Sequence, residues 1–295
     1  MRVFVTGATG WVGSATVKDL IAHGHSVLGM SRSDEGAEAL KAAGAEVHRG
    51  TLEDLDSLKR GAAAAEGVIH CAFIHDFSRF AENGQVDKRA IEAMGEVMAG
   101  TGKPLIVTSG TAMLAPGGVA TEDTVLPADY VSPRLSEPAG FAFAERGVRV
   151  MAMRLPPSVH GAGDKGFIAA LIATARGKGC SAYIGEGANR WTSVHRLDAA
   201  RAYRLAIEKG TAGARYHPID EEGIPFRDIA TAIGEGLGVP VVSLTPEQAA
   251  EHFGFFAMFA GMDAAATSAK TRAALGWAPT QPGLLADIAA HYFEG

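Results

Sequence analysis

The chain is predicted to be an α/β protein built on a doubly wound parallel sheet, with a smaller lobe towards its C-terminal side. Three observations lead there. Strand and helix signals alternate through the first half, as a parallel sheet with helical crossovers requires. Residues 3–13 read VFVTGATGWVG, a strand run, a glycine turn and a helix start. Past residue 160 helical patterns dominate, as in a lobe seated over the carboxyl edge of the sheet.

Val3, Phe4 and Val5 suit a buried central strand. Gly7 permits a tight turn, Gly10 lets backbone approach an anion, and Gly13 lets the next helix pack closely. The helix N-terminus adds free N–H groups and partial positive charge. Thr6, Gly7, Thr9, Gly10, Trp11, Val12 and Gly13 therefore read as a dinucleotide pyrophosphate site of the Rossmann type. The second strand, His25 to Met30, ends at Ser31-Arg32-Ser33. Sites for NAD usually close this strand with an acid on the ribose 2′-OH. Ser31 stands there instead, and the Arg32 guanidinium suits a 2′-phosphate. NADP(H) is thus expected over NAD(H). The alternative leaves Arg32 to solvent and gives the ribose to Asp34 or Glu35.

A helix over 35–43, a strand over 46–49, a Gly50-Thr51-Leu52 turn and a helix over 53–63 follow. Residues 67–72 read as the fourth strand. An amphipathic helix over 82–99 carries Val86, Ala90, Ile91, Met94 and Val97 on one face. Residues 105–108 and 148–155 are strands five and six, around a proline- and glycine-rich interval at 115–140. Later elements are a helix at 167–175, short strands at 182–184 and 191–194, and helices near 198–208, 226–236, 246–253 and 284–293. The expected division is a nucleotide-binding domain, 1–160 plus about 191–218, interlaced with a substrate lobe, about 161–190 plus 219–295.

Composition narrows the function classes. At 47% hydrophobic, 20% charged and net −6, the 295-residue chain has no nucleic-acid-binding charge. No apolar stretch approaches a membrane span, and the N-terminus enters the first strand without room for a signal peptide. Two cysteines, Cys71 and Cys180, make neither a disulfide framework nor a metal site. A reducing, cytoplasmic setting is expected, with no metal.

On these motifs the chain resembles the extended short-chain dehydrogenase/reductases, especially atypical, epimerase-like members. Thr6 to Gly13 matches their T-G-x-x-G-x-x-G. Val68-Ile69-His70-Cys71-Ala72 resembles the strand-four V-x-H-x-A segment, Arg154 to Gly161 the R-P-x-x-V-Y-G segment, and Trp191 to Ala200 the F-V-H-V-D-D-V-A stretch. The resemblance implies cofactor contacts from Thr51 and Leu52, from Cys71, Ala72 and Phe73, from Pro156, Ser158 and Val159, and from Arg134. It also implies a homodimer through the helices after strands four and five, with Val86 to Met98 as the apolar face and a second helix over Pro133–Arg146 capped by Ser132.

The family's Tyr-x-x-x-Lys pair has one similarly spaced counterpart, Tyr130 with Arg134. Arginine keeps the charge and can hold a ribose, but it cannot relay a proton. Tyr130 is the candidate proton donor, and Ser109 and Thr111 are equal candidates for polarising a substrate carbonyl. His160, and His75 with Asp76, are acid–base candidates. His195 reads as packing. Phe167, Tyr183, Trp191, Phe255 and Phe256 are candidate pocket walls. The expected activity is NADPH-dependent reduction of a carbonyl or imine on a small, mostly apolar molecule, or the reverse oxidation. Two alternatives stand beside it: a sugar-nucleotide epimerase, for which Arg176, Lys178 and Arg190 are the available diphosphate cations, and a non-catalytic NADP sensor.

Overall fold

The computed structural model describes residues 1–112, 114–127 and 132–293. The chain runs β1 (Arg2–Thr6), α1 (Trp11–Ala22), β2 (Ser26–Ser31), α2 (Asp34–Ala42), β3 (Glu46–Arg49), α3 (Leu55–Ala63), β4 (Gly67–His70), α4 (Phe80–Met98) and β5 (Pro104–Gly110). Then come β6 (Val119–Ala120), α5 (Ser136–Phe141), β7 (Arg149–Leu155), β8 (Ser158–His160), α6 (Phe167–Lys178), β9 (Ser181–Ile184), β10 (Arg190–His195), α7 (Arg196–Lys209) and β11 (Arg215–Tyr216). The remainder is β12 (Glu221–Pro225), α8 (Phe226–Leu237), β13 (Val241–Leu244), α9 (Pro246–Phe253), α10 (Ala257–Ala260), β14 (Ala265–Ala266), α11 (Ala269–Leu275) and α12 (Leu284–His291).

Seven strands form one parallel sheet in the order β11-β7-β5-β4-β1-β2-β3. The order reverses between β1 and β4, which places the ligand crevice at their carboxyl ends. Both faces are covered, as alternation along β1 shows. Val3 and Val5 pack with α1 and α7 through Val17, Leu20, Tyr203 and Ile207. Phe4 turns the other way, onto Leu58 of α3 and Ile91 and Met94 of α4. A strand buried on both sides needs an apolar centre, which Val3, Phe4 and Val5 supply to β1.

The second core gathers α6, α8, α9 and α12 around Trp191 and Phe226. A three-stranded sheet, β12-β10-β8, links it to the first, while α7 lies on α1 and β11 closes the large sheet.

Two expectations change. The helix over 133–146 is shorter, since the Ser132 hydroxyl accepts from Arg134 N in a local turn and α5 starts only at Ser136. The apolar face of α4 is spent on the chain's own core, with Ala90, Ile91, Met94 and Met98 at 0–1% exposure. Val86 and Val97 on the same helix are half-buried.

Candidate active site

The glycine turn is built for an anion. Gly7 has φ +63°, and a Cβ there would lie 2.7 Å from Ala72 N at the end of β4. A Cβ on Gly13 would lie 2.0 Å from Gly7 O, so helix and turn touch backbone to backbone. Gly10 N donates to Gly7 O at 2.9 Å, and the first intrahelical bond is Ser14 N to Gly10 O. No side chain caps α1, and its first turn carries no acid. The N–H groups of Trp11, Val12 and Gly13 therefore face the crevice without a helical acceptor, the arrangement that holds a pyrophosphate. Trp11 fixes the turn from outside: its Nε1 donates to Val159 O at 2.7 Å, and Arg196 stacks on its ring at 4.2 Å.

At the end of β2, Ser31 is buried and donates to Ser33 O, and Ser33 caps α2 through Gly36 N. Arg32 is exposed. Arg49, in register with Ser31, is held by Ser33 O and Asp34, a second cation that the sequence reading missed. Thr51 Oγ1 accepts from Glu53 N and Asp54 N, and Leu52 packs on the core beside it.

The carboxyl end of β4 holds a polar network. Cys71 N donates to Thr6 O, and Ala72 N to Thr6 Oγ1. Thr108 donates to His70 O at 2.7 Å, so Tyr203, 2.7 Å away, must donate its hydroxyl to Thr108. Burial beside this pair pushes the Cys71 thiol up to about 12. The Arg134 guanidinium stacks over Phe73 at 3.8 Å, donates from Nε to Ser136 Oγ and from one Nη to Thr108 O, both at 2.7 Å. A cation is thus fixed at the crevice although Arg134 is not in a helix. Burial lowers its pKa, opposed most by Asp87. His75 packs edge-on against Phe73 at 5.3 Å, and burial and then the Arg134 charge lower its pKa from 6.5.

Among the described residues the catalytic candidates hold different partners. Ser109 donates its hydroxyl to Glu137 Oε1 at 2.5 Å, inside an ion-pair cluster with Arg154 and Arg215. Thr111, 2% exposed, has a longer bond, 3.4 Å to Leu155 O. Pro156 and Ser158 are buried on either side of the turn into β8. His160 is fully buried, its Nδ1 2.8 Å from Asp287 of α12, so its ring props β8 from beneath. Tyr130 lies outside the described residues.

Of the five expected wall residues, four assemble. Phe167 meets Trp191, Phe256 and Phe259 at 5.8, 5.8 and 4.8 Å, and Phe255 meets Phe256 at 5.8 Å. Phe77, from the loop after β4, crosses to them, 6.0 Å from Phe167, 5.8 Å from Phe255 and 5.7 Å from Phe259. Tyr183 packs against the second core without joining this cluster. Phe77 and Phe259 sit in stretches with several aromatics, and only their contact, between segments far apart in the chain, marks them out.

A reversed-order parallel sheet with a glycine turn at its switch point defines a Rossmann dinucleotide-binding protein. Residues 3–219 match the model of the NAD dependent epimerase/dehydratase family, and the chain belongs to that family, within the extended short-chain dehydrogenase/reductases. It is an NAD(P)-dependent oxidoreductase of that type. Among its relatives, the uncharacterized protein C2A9.02 of Schizosaccharomyces pombe is 50% identical, over 98% of this chain and 99% of that one. The 4-hydroxy-2-methyl-3-oxo-4-farnesyl-3,4-dihydroquinoline-1-oxide ketoreductase of Stigmatella aurantiaca is 29% identical, over 85% and 78%. The dTDP-glucose 4,6-dehydratase DesIV of Streptomyces venezuelae, solved with NAD bound, shares the fold at a TM-score of 0.78 and 19% identity, over 99% and 96% of the two chains. Among the described residues no helix is long and apolar enough to cross a membrane, and no cluster of ligands suits a metal.

Proposed function

We propose that the protein is an NADPH-dependent reductase of a carbonyl or imine on a small, mostly apolar molecule, or catalyses the reverse oxidation. The observation that carries this reading is the aromatic cluster around Phe77, Phe167, Phe255 and Phe259, which brings the segment after β4 against the second core. Such a surface suits an apolar substrate body. A nucleotide-sugar diphosphate would need free cations. Arg190 is instead tied to Asp263 through three hydrogen bonds, and Arg176 and Lys178 stand exposed at the end of α6. The Stigmatella relative, named as a ketoreductase of a farnesyl-bearing compound, favours the same reading.

In this reading residues 1–160 with about 191–218 carry the dinucleotide, and about 161–190 with 219–295 face the substrate. The pyrophosphate lies on the N–H groups of Trp11, Val12 and Gly13, Arg32 meets the 2′-phosphate, and Arg134 meets the nicotinamide ribose. The bound nicotinamide supplies or accepts a hydride. Arg134 orients and neutralises but holds its proton throughout. Thr111 is the better group for polarising the acceptor oxygen, because Glu137 already takes the Ser109 hydroxyl hydrogen. Tyr130 or a water delivers the proton.

A panel of ketones, aldehydes and cyclic imines with NADPH tests the reading, with Arg32→Ala as a second arm. Turnover on the panel, a lower NADPH/NADH preference in Arg32→Ala, and a larger loss of kcat in Thr111→Val than in Ser109→Ala are expected. Tight NADPH binding with no oxidation across the panel would make the protein a sensor. An unchanged cofactor ratio in Arg32→Ala would remove Arg32 from the 2′-phosphate.

A further inference from the structure

One buried side chain of α4 has no role in the site as described. Asp87 is fully buried, on the face that carries Ala90, Ile91 and Met94 into the core. An apolar residue would fill that position without cost, whereas a buried carboxylate costs several kcal/mol unless well partnered. Its partners are specific. Oδ1 lies 3.0 Å from His70 Nε2, and Oδ2 accepts from Ser136 Oγ at 2.5 Å. His70 Nδ1 lies 2.7 Å from Thr6 Oγ1, the hydroxyl that accepts from Ala72 N. This suits the tautomer in which His70 gives its Nε2 hydrogen to Asp87 and Thr6 gives its hydroxyl hydrogen to Nδ1.

Ser136 turns the line outward. Its hydroxyl accepts from Arg134 Nε at 2.7 Å while giving its own hydrogen to Asp87. A continuous buried line therefore runs Thr6–His70–Asp87–Ser136–Arg134. One end is the residue that opens the glycine turn, and the other is the guanidinium fixed over Phe73. Burial pushes the Asp87 pKa up, but the His70 hydrogen bond and the Arg134 charge outweigh it and hold it below the ordinary carboxylate range. The carboxylate is thus ionised beside the cation whose hydrogen-bonded serine it holds.

We propose that Asp87 is a positioning residue for Arg134, acting through Ser136, and so sets the affinity of the nicotinamide-ribose half of the bound dinucleotide. The proposal rests on the nucleotide reading above. Arg134 lies outside any helix, and Ser132 gives it only a local turn. The serine bond and the Thr108 carbonyl fix two of its three nitrogens, and Asp87 fixes the serine. Loss of the carboxylate charge would leave Ser136 free to turn and the guanidinium free to swing from Phe73.

Calorimetric titration separates positioning from general damage. The ligands are NADPH, NADH and their adenine halves, 2′,5′-ADP and 5′-ADP. Asp87→Asn and Ser136→Ala are each expected to weaken the whole dinucleotide about tenfold while leaving its adenine half within about twofold, because the half does not reach Arg134. Asp87→Asn combined with Arg134→Gln is expected to bind no more weakly than Arg134→Gln alone, since Asp87 acts only through that residue. Equal weakening of whole and half, no weakening of either, or additive losses would overturn the proposal. Should Asp87→Asn fail to fold, Ser136→Ala decides it, for that variant keeps the charge and removes only the bridge. A wild-type protein that binds neither dinucleotide would instead refute the nucleotide reading, and the proposal with it.

Discussion

Replacing Glu137 removes the carboxylate that neutralises a buried arginine. Its Oε1 accepts from Ser109 Oγ and Arg154 Nε, and its Oε2 from Arg154 Nη2 at 2.8 Å and Arg215 Nε at 3.1 Å. Arg154 is 2% exposed, so Glu137→Ala strands a guanidinium that water cannot reach. Removing one partner of such a pair costs about 3–5 kcal/mol. In a chain of this size that corresponds to a fall in Tm of roughly 5–8 °C. Exchanging both partners, Glu137→Leu with Arg154→Met, is expected to cost less than Glu137→Ala alone, because no unpaired charge remains. Acid dependence gives a second readout. Burial raises the Glu137 pKa, but the hydrogen bonds and charge of Arg154 outweigh it and hold it below the ordinary glutamate value of 4.5. A depressed folded pKa means stability that is present above pH 4.5 and lost as pH falls through the folded value. Thermal melts by circular dichroism from pH 7 to 3 should therefore fall less steeply below pH 4.5 in Glu137→Gln than in the wild type. A loss under 1 kcal/mol in Glu137→Ala, or a double variant as costly as the sum of its singles, would refute the argument.

Gly13→Ala places a Cβ 2.0 Å from Gly7 O, a backbone atom that cannot turn aside; equilibrium dialysis should show NADPH binding lost even if the chain still folds. Cys71, with its thiol pushed up to about 12, should react with a disulfide reagent at pH 8 about fiftyfold more slowly than free cysteine when Cys180→Ser removes the other thiol, the lost thiolate fraction being partly offset by the higher nucleophilicity of a more basic thiolate. Fast labelling would show that the Thr108–Tyr203 end of the network is open. The His75 imidazole should titrate below 6.5 by NMR, and its midpoint should rise in Arg134→Gln, which removes the second cause of the shift. A midpoint indifferent to Arg134 would place the two side chains further apart than described.

The parts that could be read from the sequence are those whose physics is local. The valines of β1, the glycine spacing and the alternation of strand and helix follow from neighbouring residues, and the structure has them. Pairs distant in the chain left no such trace. Asp87 and Ser136 are 49 residues apart, and His160 and Asp287 are 127 apart. No periodicity joins such pairs, so the polar line under Arg134 and the burial of His160 were not foreseen. Ser132-Pro133 misled for another reason: serine before proline marks a helix start and a local turn equally well, and here its hydroxyl closes the turn. The face of α4 was identified as apolar, but a pattern alone does not say whether a neighbouring subunit or the chain's own sheet covers it.

The bond from His160 to Asp287 ties β8, beside the cofactor crevice, to α12. In the same way β14 pairs with β6, and Thr271 of α11 accepts from His217 N on its hydroxyl, which itself donates to Glu122 Oε1. Translation delivers those partners last. While residues past about 265 are still inside the ribosome, the early sheet can form, but β8 lacks the carboxylate that holds its buried imidazole. Binding competence should therefore arrive late in synthesis, and chains arrested before residue 287 should expose the crevice segment to protease even though residues 1–155 are complete.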